Sequence, residues 1–171
     1  DSFTQKDAGT DDTIDSDTDP VTGISHLINL SAGEIDLSID AGVYNYSGIG
    51  DYVWEDINAD GIQNTSETGI NGITVHLYDA LGVQVATTVT ATNPLIFGLD
   101  GWYQFANLAP GSYYLGFENG STYHFSPQNQ GILDDVDSDA NVVTGLTVPT
   151  ILLSGDYDDT WDAGLYEYGS L

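Results

Sequence analysis

Short stretches of alternating apolar and polar residues, separated by Gly, Pro, Asn and Asp, run through most of this 171-residue chain. Ile73, Val75 and Leu77 alternate with polar residues, which predicts a strand over 73–78 with one buried face. The same reasoning predicts strands over 50–54, 83–89, 101–105, 112–117, 123–125, 146–148 and 160–166. Turns are predicted at 79–82 and 108–111, and helix is limited to one turn near 65–68. Strands at this spacing, without a long 3.6-residue period, predict an all-β sandwich.

The chain contains an internal repeat with an offset of 122 residues. Residues 3–44 align with 125–166 without a gap, and 16 of these 42 positions are identical. The repeat predicts that 1–44 is the C-terminal part of a preceding repeat, 45–166 is one complete repeat, and 167–171 starts the next.

The apolar residues of 1–44 need a surface to bury against, because ordering a chain costs conformational entropy. The strands of 45–122 are already closed by 123–166 under this division. We therefore expect 1–44 to complete a sandwich outside 45–166, either in the preceding repeat of a longer polypeptide or in a neighbouring subunit.

The charge of the chain limits its partners. Its net charge is −26, with Lys6 the one basic residue against 27 acidic ones. Nucleic acid and anionic membranes are excluded as partners, because both need Lys and Arg to neutralise phosphate. Repulsion among so many negative charges opposes compaction of the chain. The composition therefore favours a setting rich in divalent cations, which neutralise these charges.

Other aspects of the composition indicate an ordered, processed protein. A hydrophobic fraction of 40% and 19 aromatic residues (3 Trp, 11 Tyr and 5 Phe) argue against disorder. No apolar run is long enough to insert in a membrane. There is no Cys, so the compartment cannot be read from disulfides, and the lack of Met and of a signal peptide predicts a mature or excised piece of a longer chain.

Residues 56–67 match the twelve-residue calcium loop D-x-[DN]-x-[DN]-G-x5-E at every specified position. Calcium takes about six to eight oxygen ligands, which a short loop supplies when alternate side chains converge. The predicted ligands are Asp56, Asn58, Asp60, Ile62 through its backbone carbonyl, and Glu67 through both carboxylate oxygens. The alternative is an acidic turn that binds nothing. Because strands rather than helices flank the loop, we interpret it as a structural clamp and not a switch.

A second acidic cluster recurs in both copies of the repeat. Its predicted calcium ligands are Asp134, Asp137 and Asp139 in the complete copy, and Asp12, Asp15 and Asp17 in the partial copy. Such closely spaced carboxylates repel one another unless a cation lies between them. Asp51 or Glu55 is a further candidate ligand, and the alternative is a solvated acidic loop. A third cluster, Asp156, Asp158, Asp159 and Asp162, is interpreted mainly as solvated loop with Asp162 capping a strand.

The complete copy contains four ordered motifs, which are Gly50-Asp51-Tyr52-Val53-Trp54-Glu55-Asp56, the loop 56–67, Gly101-x-Tyr103-x-Phe105-x-x-Leu108-x-Pro110-Gly111-x-Tyr113, and Asp162-Ala163-Gly164-Leu165-Tyr166. Together they resemble the SdrD B-like repeat, the calcium-binding repeat of bacterial serine–aspartate repeat surface adhesins. The resemblance implies a Greek-key, prealbumin-like β-sandwich in a tandem repeat array, an extracellular location on a cell surface or in a secreted filament, and calcium-dependent rigidity. Related collagen-adhesin B domains carry a Lys–Asn isopeptide bond, but 45–166 contains no Lys, which leaves metal as the main clamp.

We therefore expect a calcium-rigidified structural repeat of an adhesin stalk or filament, whose partners are neighbouring repeats or subunits. No catalysis is expected, because His26, His76 and His124 are far apart and none stands in a pattern with a nucleophile. The alternative is a glycan- or host-protein-binding module on such a stalk, with Trp102 or Tyr114 stacking on a sugar. An accessory domain of a secreted hydrolase is a more distant third.

Overall fold

Two units of short strands make up the chain in this computed structural model, which describes residues 1–96 and 98–168. One unit is Asp1–Tyr46 and the other begins at Ser47. All regular elements in the described residues are strands, as predicted, and residues 65 and 66 form only a turn. In the predicted start of a further repeat, 167–171, residues 169–171 lie outside the described residues.

The first unit is small and has only one pair of strands. Strand β1 (Ser2–Phe3) pairs antiparallel with β2 (Val43–Tyr44). Between them the chain forms turns and irregular structure, with a single bridge from Lys6 to Ser16. Most of its apolar side chains are exposed, including Ile14, Val21, Ile24, Leu27, Leu30, Ile35 and Leu37.

The described part of the second unit contains three sheets. Its strands are β3 (Ser47–Ile49), β4 (Val53–Glu55), β5 (Thr74–Asp79), β6 (Gln84–Val89), β7 (Phe105–Leu108), β8 (Gly111–Phe117), β9 (Tyr123–Phe125), β10 (Thr150–Leu152), β11 (Tyr157–Asp158) and β12 (Ala163–Glu167). The sheet orders are β10-β8-β5-β6, β11-β3-β7 and β4-β12-β9. Strand β12 lies parallel to β4 and antiparallel to β9, so the last strand of the unit is held between strands that come much earlier in the chain.

The predicted alternation places the core as expected. Val75 and Leu77 of β5 are fully buried, and Leu115 of β8 pairs with Leu77 across the sheet. Trp54 and Leu165, from β4 and β12, are also fully buried. Apolar faces of the sheets thus pack on one core, and the all-β sandwich is confirmed.

Two predicted strands are wrong in position. Instead of 101–105, the regular strand β7 begins at Phe105, while Trp102 forms only single bridges. Gly101 has a φ of 85°, which interrupts an extended segment, and a Cβ there would lie 2.2 Å from the Val53 carbonyl oxygen. The predicted turn at 108–111 is shorter, because β7 includes Leu108 and β8 begins at Gly111.

The strand predicted over 146–148 is the second error. The Leu115 amide donates to the Thr147 hydroxyl at 3.0 Å, so a side chain occupies a place that a backbone carbonyl would take in a ladder. The regular strand β10 follows at Thr150–Leu152. Other strand ends differ from the prediction by up to three residues, as in β12, which starts at Ala163.

The two copies of the repeat share backbone hydrogen bonds at matching positions. The Asp17 amide donates to the Asp40 carbonyl, and the Asp139 amide donates to the Asp162 carbonyl, both at 2.9 Å. The reverse contacts also match, because the Asp40 and Asp162 amides donate to the carboxylates of Asp17 and Asp139 at 2.7 and 2.8 Å. The repeat detected in the sequence therefore extends to local structure.

Candidate metal sites

The loop 56–67 begins at the end of β4 and wraps around a buried carboxylate. Asp56 is fully buried, and its two carboxylate oxygens accept hydrogen bonds from the Asp60 amide at 3.2 Å and the Gly61 amide at 2.8 Å. Gly61 has a φ of 79°, and a Cβ there would lie 2.2 Å from the Pro127 carbonyl oxygen. The motif's glycine is therefore required both by the backbone conformation and by a neighbouring segment.

Glu67 closes the loop. Its two carboxylate oxygens accept from the Ile57 amide at 3.0 Å and the Asn64 amide at 2.9 Å. Asp60 accepts from the Ile62 amide, and Asn58 donates to Asp60. The five predicted ligands thus lie on one closed loop whose side-chain oxygens are engaged by the loop itself, and their role in binding calcium stays a prediction.

The second predicted cluster forms a compact group of carboxylates. Asp134, Asp137 and Asp139 each place one oxygen within 4.8 Å of the others. Asp137 and Asp139 are buried, and Oδ1 of Asp137 has no hydrogen-bond partner. Burial is the main cause that raises the pKa of Asp139 to about 7, and burial together with Asp134 raises the pKa of Asp137. An oxygen-only donor set with two buried members and an unpartnered oxygen fits a hard divalent cation.

The structure brings these two acidic loops together. Ile62 forms a bridge with Asp137, the Gln63 amide donates to the Val136 carbonyl at 2.7 Å, and the Ser138 amide donates to the Gly61 carbonyl at 3.0 Å. The carbonyl of Ile62, a predicted ligand, accepts from the Asn64 side-chain amide at 2.9 Å. Pairing between loops so far apart in sequence has no local signal, and the sequence analysis missed it.

The partial copy has a related group with one different member. Asp7, Asp15 and Asp17 each place an oxygen within 4.8 Å of the others. The predicted ligand Asp12 is exposed and is not in this group, and Asp7 provides the third carboxylate instead. Oδ1 atoms of Asp15 and Asp17 have no hydrogen-bond partner. Asp7 corresponds to Asn129 in the complete copy, so the repeat alignment could not indicate it.

A further pair of carboxylates lies near the second loop. Asp162 is fully buried rather than part of a solvated loop, and both of its carboxylate oxygens lack hydrogen-bond partners. Burial, followed by the charge of Asp51, raises the pKa of Asp162, and burial raises the pKa of Asp51 to about 7. Glu55, the other suggested ligand, is exposed at the end of β4. The recurrence of Asp162 as Asp40 was the available signal for its importance.

The remaining residues singled out in the sequence lie apart from these groups. His76 is on the outer face of β5, where its ring nitrogens contact the Thr87 hydroxyl and the Glu118 carboxylate at 3.0 Å each. Tyr114 is half-buried and stacks on Tyr78 with ring centroids 5.0 Å apart. His76 therefore lies between a hydroxyl group and a carboxylate on this face of the sheet.

Comparison with known proteins gives a family match. The model of the SdrD B-like domain matches residues 47–165. Serine-aspartate repeat-containing protein F of Staphylococcus epidermidis is 41% identical over 143 residues, covering 82% of this chain and 8% of that protein. Serine-aspartate repeat-containing protein D of Staphylococcus aureus strain Newman is 36% identical over 165 residues, covering 96% of this chain and 11% of that protein. The chain thus spans about a tenth of the length of these curated relatives.

Among solved structures, the minor pilin of the Gram-positive pathogen Streptococcus agalactiae matches 83% of this chain and 59% of its own chain. Its TM-score is 0.39 and its sequence identity is 10%.

Proposed function

This chain belongs to the SdrD B-like domain family, and from that premise we propose that it is a calcium-rigidified structural repeat of an extracellular adhesin stalk, assembled head to tail with its neighbours. It acts by holding a fixed shape and not by catalysis. Its ligand ions are Ca²⁺, and its partners are adjacent repeats or subunits of the same protein.

Buried carboxylates without a cationic partner are the observation that carries the proposal. Asp137 and Asp139 are buried next to Asp134, in a chain whose one basic residue, Lys6, is ion-paired with Asp7 at 2.9 Å. Buried charges need a partner of opposite sign or a metal. Oxygen-only ligands on irregular loops suit Ca²⁺, which tolerates flexible geometry and many oxygens.

The position of the sites supports a role in rigidity. The loop 56–67 follows β4, and the loop 134–139 lies between β9 and β10, so their pairing joins two segments of the unit that are far apart in the sequence. An ion in either loop neutralises the repulsion between them and holds this junction closed. Without the ion, the same charges favour opening of the unit.

Exposed apolar residues in the first unit support head-to-tail assembly. Leu30 is 59% exposed, whereas its counterpart Leu152 is 1% exposed. Val43 is 65% exposed, and its counterpart Leu165 is fully buried. The counterparts Leu152 and Leu165 belong to a buried core to which β3, β4, β5, β7 and β8 also contribute. The exposed residues of 1–44 therefore suit the core of an equivalent set of strands.

A fusion experiment tests this assembly. Because residue 1 is equivalent to residue 123, joining a second copy of 45–122 directly ahead of Asp1 recreates a complete repeat in register. We expect hydrogen exchange at the Asp17 and Asp40 amides to slow at least tenfold in the fusion. In a matched fusion, Leu77→Asp disrupts the core of the added copy. Hydrogen exchange at the Asp17 and Asp40 amides should then be the same as in the unfused chain. Equal exchange in the chain and in the intact fusion would contradict head-to-tail completion.

A second candidate function, the display of a glycan- or host-protein-binding site, is favoured by one observation. A cleft of about 430 Å³ is lined by Trp102 and Tyr157 together with Asp51 and Asp159. Aromatic faces stack on sugar rings while carboxylates accept hydrogen bonds from hydroxyl groups. Glycan arrays probed with the wild type and with Trp102→Ala test it, since a binding module loses its signal in the variant and a stalk shows none in either.

The proposed location is the cell surface or a secreted filament. The described part of the chain forms no helix with the length and apolar character needed to cross a membrane. The high acidity is consistent with an extracellular setting, where divalent cations are plentiful enough to neutralise it.

A further inference from the structure

The outer face of the sheet that contains β5, β6 and β8 carries a connected group of polar side chains. His76 of β5 lies directly opposite Thr87 of β6 in the strand register, and its Nδ1 is 3.0 Å from the Thr87 hydroxyl oxygen. Its Nε2 is 3.0 Å from a carboxylate oxygen of Glu118, which follows β8. The Gln84 side-chain amide donates to the same Thr87 hydroxyl at 2.8 Å. A hydroxyl, an imidazole, a carboxylate and an amide donor therefore meet at one place.

The chemistry of these groups determines where each proton is held. A carboxylate only accepts hydrogen bonds, so the neutral imidazole donates its Nε2–H to Glu118 and keeps Nδ1 as an acceptor. The Thr87 hydroxyl then donates to Nδ1. The hydrogen bond from His76 is the main cause that holds the pKa of Glu118 below its ordinary value, so this carboxylate is charged at neutral pH. A hydroxyl that donates to an imidazole, which in turn donates to a carboxylate, is the arrangement of an activated nucleophile.

A β-bulge brings the amide donor to this hydroxyl. Residues three apart in a regular strand point to opposite faces of the sheet. In β6 the register shifts between the pairs with Leu77 and Tyr78, which leaves Val85 as an extra residue. The extra residue turns Gln84 to the face that carries Thr87. Alternation in the sequence does not predict this contact, because it assumes a strand without a bulge.

We propose that Thr87 is the nucleophile of an acyl-transfer site that cleaves carboxylic esters, with His76 as its general base and Gln84 as the hydrogen-bond donor to the oxyanion. Glu118 is a positioning residue, because it holds the imidazole in the tautomer that accepts from Thr87. The activity is additional to the structural role proposed above, and it uses none of the predicted metal ligands.

The reaction takes place in two steps. The Thr87 oxygen attacks the ester carbonyl carbon and its proton passes to Nδ1 of His76. The bond from that carbon to the alcohol oxygen then breaks, and His76 gives the proton to the leaving alcohol. Water, activated by His76 in the same way, hydrolyses the ester on Thr87 and releases the carboxylic acid. In both steps the second N–H of the Gln84 amide donates to the negatively charged carbonyl oxygen.

The surrounding surface indicates which esters fit the site. Thr87 and Gln84 are exposed, so the site is open to an ester carried on a larger molecule. Tyr78 lies opposite Gln84 in the register, and its ring stacks on Tyr114 with centroids 5.0 Å and planes 12° apart. Aromatic side chains supply an apolar face for a ring, and the net charge of −26 disfavours anionic substrates. The substrate class is therefore an uncharged ester whose alcohol part contains a ring.

Reaction of the full chain with p-nitrophenyl acetate tests the proposal. The wild type should release p-nitrophenolate at least about tenfold faster than Thr87→Val, which keeps the imidazole and the shape of the side chain but has no hydroxyl. Thr87→Ser should keep the wild-type rate, and acetyl groups trapped by acid should lie on residue 87 in peptide mass spectrometry. Equal rates in the wild type and Thr87→Val would overturn the proposal, and so would acetylation confined to other residues.

A matched variant separates the site from a general effect of losing a threonine hydroxyl. Thr92 donates its hydroxyl hydrogen bond to the carboxylate of Asp100 and not to an imidazole. Thr92→Val should therefore keep the wild-type rate. Circular dichroism should show that both valine variants are folded, since Thr87 and Thr92 are exposed. A rate that falls equally in both variants would mean that the loss reflects the fold, which contradicts the proposal.

Kinetic constants test the roles of the other groups. Gln84→Leu should lower kcat at least about tenfold, because an oxyanion donor acts in the transition state. Glu118→Ala should lower kcat with KM unchanged, since Glu118 orients the base and does not touch the substrate. A raised KM with unchanged kcat in both variants would show that these side chains only bind the ester, and would overturn the assigned roles.

Discussion

Single acidic residues in this protein differ in how completely they are satisfied. Asp56 accepts two amide hydrogen bonds inside its own loop, whereas Asp162 is buried with no partner for either oxygen. Both are fully buried. A carboxylate that accepts amide hydrogen bonds is stabilised in its charged form, and an unpartnered one is destabilised. The two carboxylates therefore differ in whether the protein itself supplies hydrogen-bond donors to them.

Replacement of Asp60 by Ala tests the ligand role of the loop. Asp60 is exposed, and its side chain bonds only within the loop, to the Ile62 amide and to Asn58. We expect Asp60→Ala to weaken calcium binding at least tenfold, or about 1.4 kcal/mol, by isothermal calorimetry. The melting temperature in calcium should fall toward that of the chelated protein. Asp135→Asn serves as the control, and a variant that binds calcium like the wild type would rule out Asp60 as a ligand.

At the scale of elements, local pattern predicts the strands whose neighbours are close in sequence. The hairpin of β5 and β6 and the exact limits of β9 follow from alternation and turn residues. The pairing of β12 with β4, and of Gly61 with Ser138, depends on contacts across most of the unit. Such contacts produce no periodic pattern in the sequence. The sequence therefore predicts the loop 56–67 but not its pairing with the loop 134–139.

The candidate metal ligands differ in the same way, because those close together in the sequence can be predicted and those brought together by the fold cannot. The spacing of 56–67 identifies one candidate loop because all its predicted ligands are close together in the sequence. Asp7 replaces Asp12 in the group of the partial copy, and Asp51 approaches Asp162, only because the chain folds back on itself. Asp occupies the equivalent positions 40 and 162 of the repeat. This recurrence indicates that the position matters but does not show what the side chain contacts.

Matched side-chain truncations in the two copies test whether a preceding set of strands covers the last strand of each copy, β2 in the partial copy and β12 in the complete one. Leu165→Ala in β12 should destabilise the second unit by about 2–5 kcal/mol, because it removes a fully buried side chain. The counterpart Val43→Ala should cost under about 0.5 kcal/mol, since Val43 is exposed. Urea unfolding followed by tryptophan fluorescence measures the Leu165 effect, and hydrogen exchange measures that of Val43.

The fusion described above extends this comparison. When 45–122 precedes Asp1, Val43→Ala should become destabilising, as a buried position would be. A Val43→Ala variant that stays neutral in the fusion would mean that the added body does not cover β2.

At the scale of the whole molecule, repulsion among like charges opposes folding. Twenty-seven acidic side chains are opposed by one basic side chain, which gives the net charge of −26, so the folded state concentrates repulsion that an unfolded chain relieves. Several carboxylates in the second unit are also buried beside one another. Protons and calcium are the two agents that neutralise them.

The pH dependence of the metal-free protein follows from the raised pKa values. The pKa values of Asp51 and Asp139 are raised to about 7, mainly by burial, from an ordinary value of 3.8. Between these values the folded state binds more protons than the unfolded state, so stability falls as pH rises. In EDTA, the melting temperature should therefore decrease from pH 5 to pH 7.5.

Saturating calcium should change this dependence. Calcium binds the deprotonated carboxylates, so the increase in melting temperature that it causes should grow from pH 5 to pH 7.5. Asp139→Asn, which cannot titrate, should show a weaker slope in EDTA. A metal-free protein that becomes more stable across this pH range would contradict the assignment of the buried carboxylates.

The most direct test of the calcium clamp is differential scanning calorimetry of the full chain at pH 7.5, in millimolar calcium and in EDTA. Bound ligand stabilises the folded state by about 2.7 kcal/mol at a hundredfold excess over its dissociation constant, for each site. We predict that the second unit melts at least 10 °C higher in calcium, and that excess calcium added to the chelated sample restores the transition. An identical melting temperature in calcium and in EDTA would contradict the account.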